Sequence, residues 1–316
     1  FKEKSKMKNS DGKKKGSFRG IEKLDDANWA GTKKSAECTL ILTEGDSAKS
    51  MAVAGLSIVG RDKYGVFPLR GKLLNVRDKT DTERGREQMN NNKEITNLKQ
   101  IIGLEANKEY HDLSSLRYGA IMIMTDQDVD GSHIKGLLIN LFHKLWPSLI
   151  KQKGFLKCML TPIIKATKGK VVISFYTLTN YEDWKKVNNN GKGWNIKYYK
   201  GLGTSTSSEA KEYFKKLKTQ SYMCNDKTDD SIDKAFNKNR ADDRKTWMAT
   251  YSRDDILDTD SKNVQLEDFI DKELLHFSVY DLSRSVPNVI DGLKTSQRKI
   301  LYSCFKRNLK KEIRVA

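Results

Sequence analysis

Hydrophobic positions along this chain follow two different periods. Residues 39–43 (Thr-Leu-Ile-Leu-Thr) and 120–125 (Ala-Ile-Met-Ile-Met-Thr) are short, nearly unbroken apolar runs, the pattern of strands buried on both faces of a parallel sheet. A further strand is predicted at Val66–Leu69. Between these runs the spacing becomes helical. An Asp46/Ser47 cap opens a helix through Met51, Ala52 and Leu56. Ser132 is expected to cap an amphipathic helix carrying Ile134, Leu137, Leu138, Leu141, Leu145 and Leu149, with Phe142 and Trp146 in the core. Residues 77–100, polar and interrupted by Asn90–Asn92, read as a surface helix with an insertion, outside the core. A hairpin is predicted from Pro162 to Tyr176 around Lys168-Gly169-Lys170.

This alternation predicts an α/β fold with a doubly wound, Rossmann-like parallel sheet, followed by an α+β tail. Residues 1–36 read as a basic linker; the first 20 hold eight basic and two acidic side chains and cannot bury a core. The α/β core is set at 37–165. Residues 166–262 form a polar tail with one well-signalled helix, opened by the Thr206-x-x-Glu209 capping box. A third region, 263–316, closes on a basic helix around Gln297-Arg298-Lys299.

Charge adds a partner to this picture. The chain has 316 residues, with 59 Lys and Arg against 41 Asp and Glu, a formal charge of +18. Such an excess favours a polyanion, and nucleic acid above an acidic protein. No run of 18 apolar residues exists, so nothing predicts a membrane span. Cys38, Cys158, Cys224 and Cys304 show no C-x-x-C spacing and read as reduced thiols.

Both apolar runs deliver acids at their C-terminal ends, where open α/β sheets place ligands. Glu44-Gly45-Asp46 follows the first; Asp126, Asp128 and Asp130 follow the second. Two carboxylates about 5 Å apart repel by roughly 3 kcal/mol at an effective dielectric of ~20, so a cation is expected. Mg²⁺ fits, because it takes oxygen ligands, keeps several waters and is completed by phosphates. The Asp126-x-Asp128-x-Asp130-Gly131 segment also matches the opening of a calcium-binding EF-hand loop. That reading fails: a strand precedes it, and the twelfth position is Leu137 instead of Glu.

The two acidic strand ends together resemble the TOPRIM domain of topoisomerases and primases. Pro68-Leu69-Arg70-Gly71-Lys72-Leu73-Leu74-Asn75-Val76, Tyr199-Lys200-Gly201-Leu202-Gly203-Thr204 and Arg284-Ser285-Val286-Pro287-Asn288-Val289-Ile290-Asp291-Gly292-Leu293-Lys294 extend the resemblance, in order, to type IIA DNA topoisomerases. Both halves share one chain, and Lys23–Asn28 looks eukaryotic. Two departures stand out: Thr295-Ser296 where Pro-Gly is usual, and Val129 where Gln is common. Neither removes a ligand.

The resemblance implies that Glu44, Asp126 and Asp128 are catalytic metal ligands. Glu44 and Asp126 would share one Mg²⁺ position, Asp126 and Asp128 a second, with Mn²⁺ or Ca²⁺ as substitutes. Asp130 is a further candidate ligand. Gly45, Asp46, Arg70, Lys72, His133, Lys200, Arg298 and Lys299 are candidate contacts to double-stranded DNA, His133 structural or DNA-contacting in preference to chemical. The surroundings of Gly45, Asp46 and Arg70 would border a pocket for topoisomerase poisons. The family's nucleophile is a tyrosine forming a phosphotyrosine link to DNA; it is expected downstream of Ala316, Tyr302 standing elsewhere, in a winged-helix domain that begins here. An ATP-binding domain is expected upstream, a homodimer for the whole protein, and the nucleus as its location. Two other classes compete: a different TOPRIM enzyme (primase or nuclease), against which Arg284–Lys299 argues, and a DNA-binding module with a structural cation.

Overall fold

The computed structural model describes residues 11–14 and 21–314. Its centre is a six-stranded sheet. β1 (Thr39–Glu44) lies between β2 (Tyr64–Leu69) and β3 (Ala120–Met124), and β4 (Leu156–Met159) follows, all four parallel. Period-two alternation sends Leu40, Leu42, Ile121 and Ile123 to one face, and Ile41, Met122 and Met124 to the other. Both faces are dry, which is why these strands carry no polar alternation.

Helices cover each face. α1 (Gly45–Val59) packs Met51, Ala52 and Leu56 on the second face. α2 (Glu83–Asn90) and α3 (Lys93–Ile102) lie before β3, and α4 (Val129–Leu145) runs back beneath the first face. Phe142 and Trp146 are buried as expected.

The expected hairpin is present as β5 (Ile164–Lys168) and β6 (Val171–Phe175). With β7 (Asn195–Tyr198) they make a separate antiparallel sheet, ordered β6-β5-β7, packed on α5 (Leu178–Val187) through Phe175, Tyr181 and Trp184. α6 (Ser207–Lys215) opens on the predicted capping box: Thr206 accepts from the Glu209 N–H, and Glu209 from that of Thr206. The chain then re-enters the main sheet as β8 (Thr219–Met223), antiparallel to β4. α7 (Thr228–Phe236) and α8 (Ala241–Ala249) precede β9 (Asn263–Gln265), which pairs in parallel with β8. A helical run follows: α9 (Leu266–Phe269), a π-helical turn (Ile270–Leu274) and α10 (Leu275–Ser285). α11 (Thr295–Lys306) comes last and buries none of its residues.

Several boundaries differ from those read in the sequence. Residues 21–36, expected as linker, are part of the core: Asp25 and Val66 exchange backbone hydrogen bonds at 2.9 and 2.7 Å, and the Tyr118 hydroxyl accepts from Ala27 N–H at 2.9 Å while donating to Asp26. Asp11 also docks, accepting from the Ala106 N–H and pairing with Lys99; residues 1–10 and 15–20 lie outside the described residues. α3 is a core element, burying Ile95, Leu98, Ile101 and Ile102. Its polar face hid an apolar stripe of four. Residues 263–277 belong to the central core, because β9 completes the sheet and Leu266, Phe269, Ile270, Leu274 and Leu275 pack beneath it. α4 is capped by Asp128, which accepts from Gly131 N–H, and not by Ser132; α1 follows Glu44 with no side-chain cap.

Candidate metal site and nucleic-acid interface

β1 and β3 are neighbours in register, with Thr43 opposite Met124. Their ends therefore bring Glu44 and Asp126 together although 82 residues separate them. The Asp126 N–H donates to Glu44 Oε2 at 3.3 Å. Among the described residues neither carboxylate has a cationic partner. Burial, then the neighbouring acids, with Asp126 foremost, push the Glu44 carboxyl above its ordinary value. Asp126 is also pushed up, chiefly by burial and further by Asp128, against a backbone hydrogen bond that pulls it down. These are signs of negative charge crowded without compensation.

A loop from the far side of the sheet holds Asp126. The Leu202 N–H donates to Asp126 Oδ1 at 2.7 Å. Gly201 has extended backbone, yet a Cβ there would stand 2.3 Å from Asp126 Oδ2, so only glycine lets this loop approach. Lys200, exposed beside it, stands at the rim of the acidic site. Gly45 is needed for a different reason. It holds φ +77° between β1 and α1, while a Cβ would meet nothing within 4 Å, so the demand is conformational.

The other two acids are engaged differently. Asp128 is exposed, and its Oδ1 accepts from Gly131 N–H at 2.8 Å. Asp130 is gripped by cations. Arg284 donates to both its oxygens at 2.7 and 2.6 Å, and Lys72 donates to Oδ1 at 2.7 Å. The Arg284 fork, then Lys72, hold its carboxyl well below the usual carboxylate range despite opposing burial. Among the described residues, no group of three or more His, Cys, Asp or Glu side chains is arranged to hold a metal ion. The expected three-carboxylate cluster is thus not assembled, since one Asp128 oxygen caps α4, and Asp130 is occupied as the acceptor of an Arg–Lys clamp. The donor set still fits Mg²⁺: Glu44 and Asp126 offer hard, uncompensated oxygens, and this ion needs only one or two carboxylates with water and phosphate.

The candidate DNA contacts divide into two groups. Arg70 and Lys72, exposed on the loop after β2, lie near the acids; Lys72 also stands 4.8 Å over the Phe277 ring. Arg70 lines a groove of about 290 Å³ with Lys23, Lys93 and Glu94. Asp46 is turned to Lys23 at 2.6 Å. His133 lies stacked on Phe277, ring centroids 3.9 Å apart. Burial, then Lys72, lower its pKa to about 4, so the imidazole is neutral at physiological pH. Arg298 and Lys299 are the distant group. They lie on α11, where Arg298 is paired with Asp291 at 2.7 Å, and no hydrogen bond or ion pair among the described residues ties them to the acidic loop.

Sequence reasoning missed the clamp itself. Arg284, Phe277 and Glu273 recur at near-helical intervals, a signal visible only once the helix is known to cross the acidic loop.

The comparisons with known proteins agree with this geometry. Residues 39–158 match the Toprim domain family, 159–282 the C-terminal associated domain of TOPRIM, and 284–316 the DNA gyrase/topoisomerase IV family. The chain is 55% identical, over 317 aligned residues covering 99% of its length, to DNA topoisomerase 2 of Plasmodium falciparum (isolate K1 / Thailand), and 55% identical to probable DNA topoisomerase 2 of Dictyostelium discoideum. It spans 22% and 21% of those two proteins. A crystal structure of the Plasmodium falciparum topoisomerase II DNA-binding, cleavage and re-ligation domain superposes with a TM-score of 0.84, covering 96% of this chain and 41% of that one. With a Toprim domain and a gyrase/topoisomerase IV segment on one polypeptide, and this identity along nearly all of its length, the chain belongs to the type IIA DNA topoisomerase family.

Proposed function

We propose that this chain supplies the metal-holding half of a DNA cleavage and religation site, within a topoisomerase that passes one duplex through a transient double-strand break. The observation that carries the reading is the Glu44–Asp126 pair: two carboxylates joined at adjacent strand ends, raised in pKa and lacking any cationic partner among the described residues. Glu44 and Asp126 would hold one divalent ion, Mg²⁺ in preference to Mn²⁺ or Ca²⁺. Asp126 and the free oxygen of Asp128 would serve a second position. When bound, the metal stabilises charge on the scissile phosphate and the leaving oxygen. Arg70, Lys72 and Lys200 orient phosphate, while neutral His133 packs instead of moving protons. Asp130 keeps the acidic loop clamped and is not assigned as a ligand.

No tyrosine of this chain is assigned as nucleophile. Homodimerisation, ATP dependence, nuclear location, DNA contact by Arg298 and Lys299, and poison binding near Gly45, Asp46 and Arg70 belong to the same reading. The test is Asp126→Asn in the full-length dimeric enzyme. Metal-dependent cleavage should disappear while duplex binding persists, and cleavage persisting at the wild-type level would reject the assignment. A cation with a purely structural role predicts that persistence.

A further inference from the structure

The helical run from Leu266 to Ser285 crosses α4 just behind the acidic loop, and it does not cross as a plain α-helix. Ile270–Leu274 is a π-helical turn, a rare form that occurs mostly as single turns at functional positions. The turn lies hard against the first half of α4. A Cβ on Gly136 would stand 3.1 Å from the Leu274 side chain and 3.1 Å from that of Phe236, tighter than ordinary contact. From this turn Glu273 reaches α4. Its Oε1 accepts from Lys135 Nζ at 2.6 Å and from Ser132 Oγ at 2.8 Å. Ser132 and Lys135 are both buried. The same Ser132 hydroxyl lies 3.1 Å from the Asp128 carbonyl, the last residue before the helix.

We propose that Glu273 is a positioning residue for the acidic loop. It pins the first turn of α4 through Ser132 and Lys135, and so fixes the mount on which Asp128 and its neighbour Asp126 are held. One turn further along, Phe277 stacks on His133; at the end of the same helix, Arg284 clamps Asp130. The loop is thus gripped from a single helix at three successive points. Glu273 is the innermost, the one sheltered from solvent competition. A buried ion pair serving stability alone needs no link to Ser132 or to the cap of α4. The role in metal holding rests on the function proposed above.

The test separates this from plain stability by removing both charges at once. Lys135→Met with Glu273→Met leaves no unpaired buried charge, and such exchanges are often neutral in stability. In the 316-residue chain carrying both, the unfolding midpoint should stay near wild type. Amide hydrogen exchange over residues 128–133 should rise about tenfold with strand 39–44 unchanged, and the Mn²⁺ dissociation constant, read by electron paramagnetic resonance, should rise about tenfold, as for lost outer-shell support of metal ligands. Ser132→Ala, which breaks only the hydroxyl link, should move both readings the same way by about threefold, and it carries the test if the double variant does not fold. Unchanged exchange and unchanged Mn²⁺ affinity in a folded variant overturn the proposal. If the wild-type chain binds no Mn²⁺, the metal reading of the site falls instead, and exchange over 128–133 alone decides whether Glu273 positions the loop.

Discussion

Gly201→Ala isolates the geometry of the acidic site from the rest of the fold. The added Cβ would stand 2.3 Å from Asp126 Oδ2 and 2.9 Å from its Cγ, where real Cβ contacts essentially never fall below 3.0 Å. The carboxyl must therefore move by at least ~0.7 Å, the difference between 3.0 and 2.3 Å. It cannot do so and keep Oδ1 at 2.7 Å from the Leu202 N–H, one residue from the new methyl group. A hydrogen bond to a charged group contributes about 1.5–3 kcal/mol. At 1.4 kcal/mol per factor of ten, its loss corresponds to roughly a 10- to 100-fold weaker hold on whatever Asp126 binds. Backbone strain adds nothing, because Gly201 is extended. Mn²⁺ titration of the chain, followed by electron paramagnetic resonance, reads this directly. Gly203→Ala is the matched control, since its Cβ would meet only Ser47 Cβ at 3.6 Å. Equal Mn²⁺ affinity in the two variants would show that the Gly201–Leu202 loop does not position Asp126.

Tyr118→Phe should lower stability by about 1–3 kcal/mol, because Ala27 N–H and Asp26 lose a shared buried partner; urea unfolding checks it, and no change would mean that residues 21–36 do not dock in solution. Glu209 gives a pH prediction. Burial pushes its carboxyl up, but Lys197, the Thr206 N–H and Tyr199 outweigh this and bring it to about 2. Its contribution is therefore complete above the unfolded value near ~4.3 and lost as pH falls toward 2. A carboxyl titration by nuclear magnetic resonance should find this depressed midpoint; one near the ordinary value would contradict the α6 capping box. Duplex DNA binding should fall by about a thousandfold or more between 50 and 200 mM salt if six or more phosphates are neutralised. Filter binding across that range is sufficient, and a flat response would remove the lysine-rich surface from the account.

The strands were legible because each carries its own signal. Thr39–Thr43 and Ala120–Met124 are apolar throughout, and this follows directly from burial on both faces. The pairing of Glu44 with Asp126 was legible for the same reason, since parallel neighbours end on the same side of a sheet. α6 announced its start through Thr206 and Glu209. What escaped depended on partners distant in sequence. Residues 21–36 look like linker because their anchoring comes from Tyr118 and Val66, not from their own apolar content. β9 is only three residues long and is a strand because β8 lies beside it. Asp130 resembles Asp126 and Asp128 in the motif, and only the arrival of Arg284 from 154 residues away gives it a different task.

The central claim is that Glu44 and Asp126 together hold a divalent cation against DNA. Anomalous diffraction from crystals of the chain with duplex DNA and Mn²⁺ tests it most directly. The predicted result is a peak about 2.0–2.2 Å from an oxygen of each carboxylate, facing the scissile backbone and absent in Asp126→Asn crystals. A peak held by other acids, or one that survives that substitution, would contradict it.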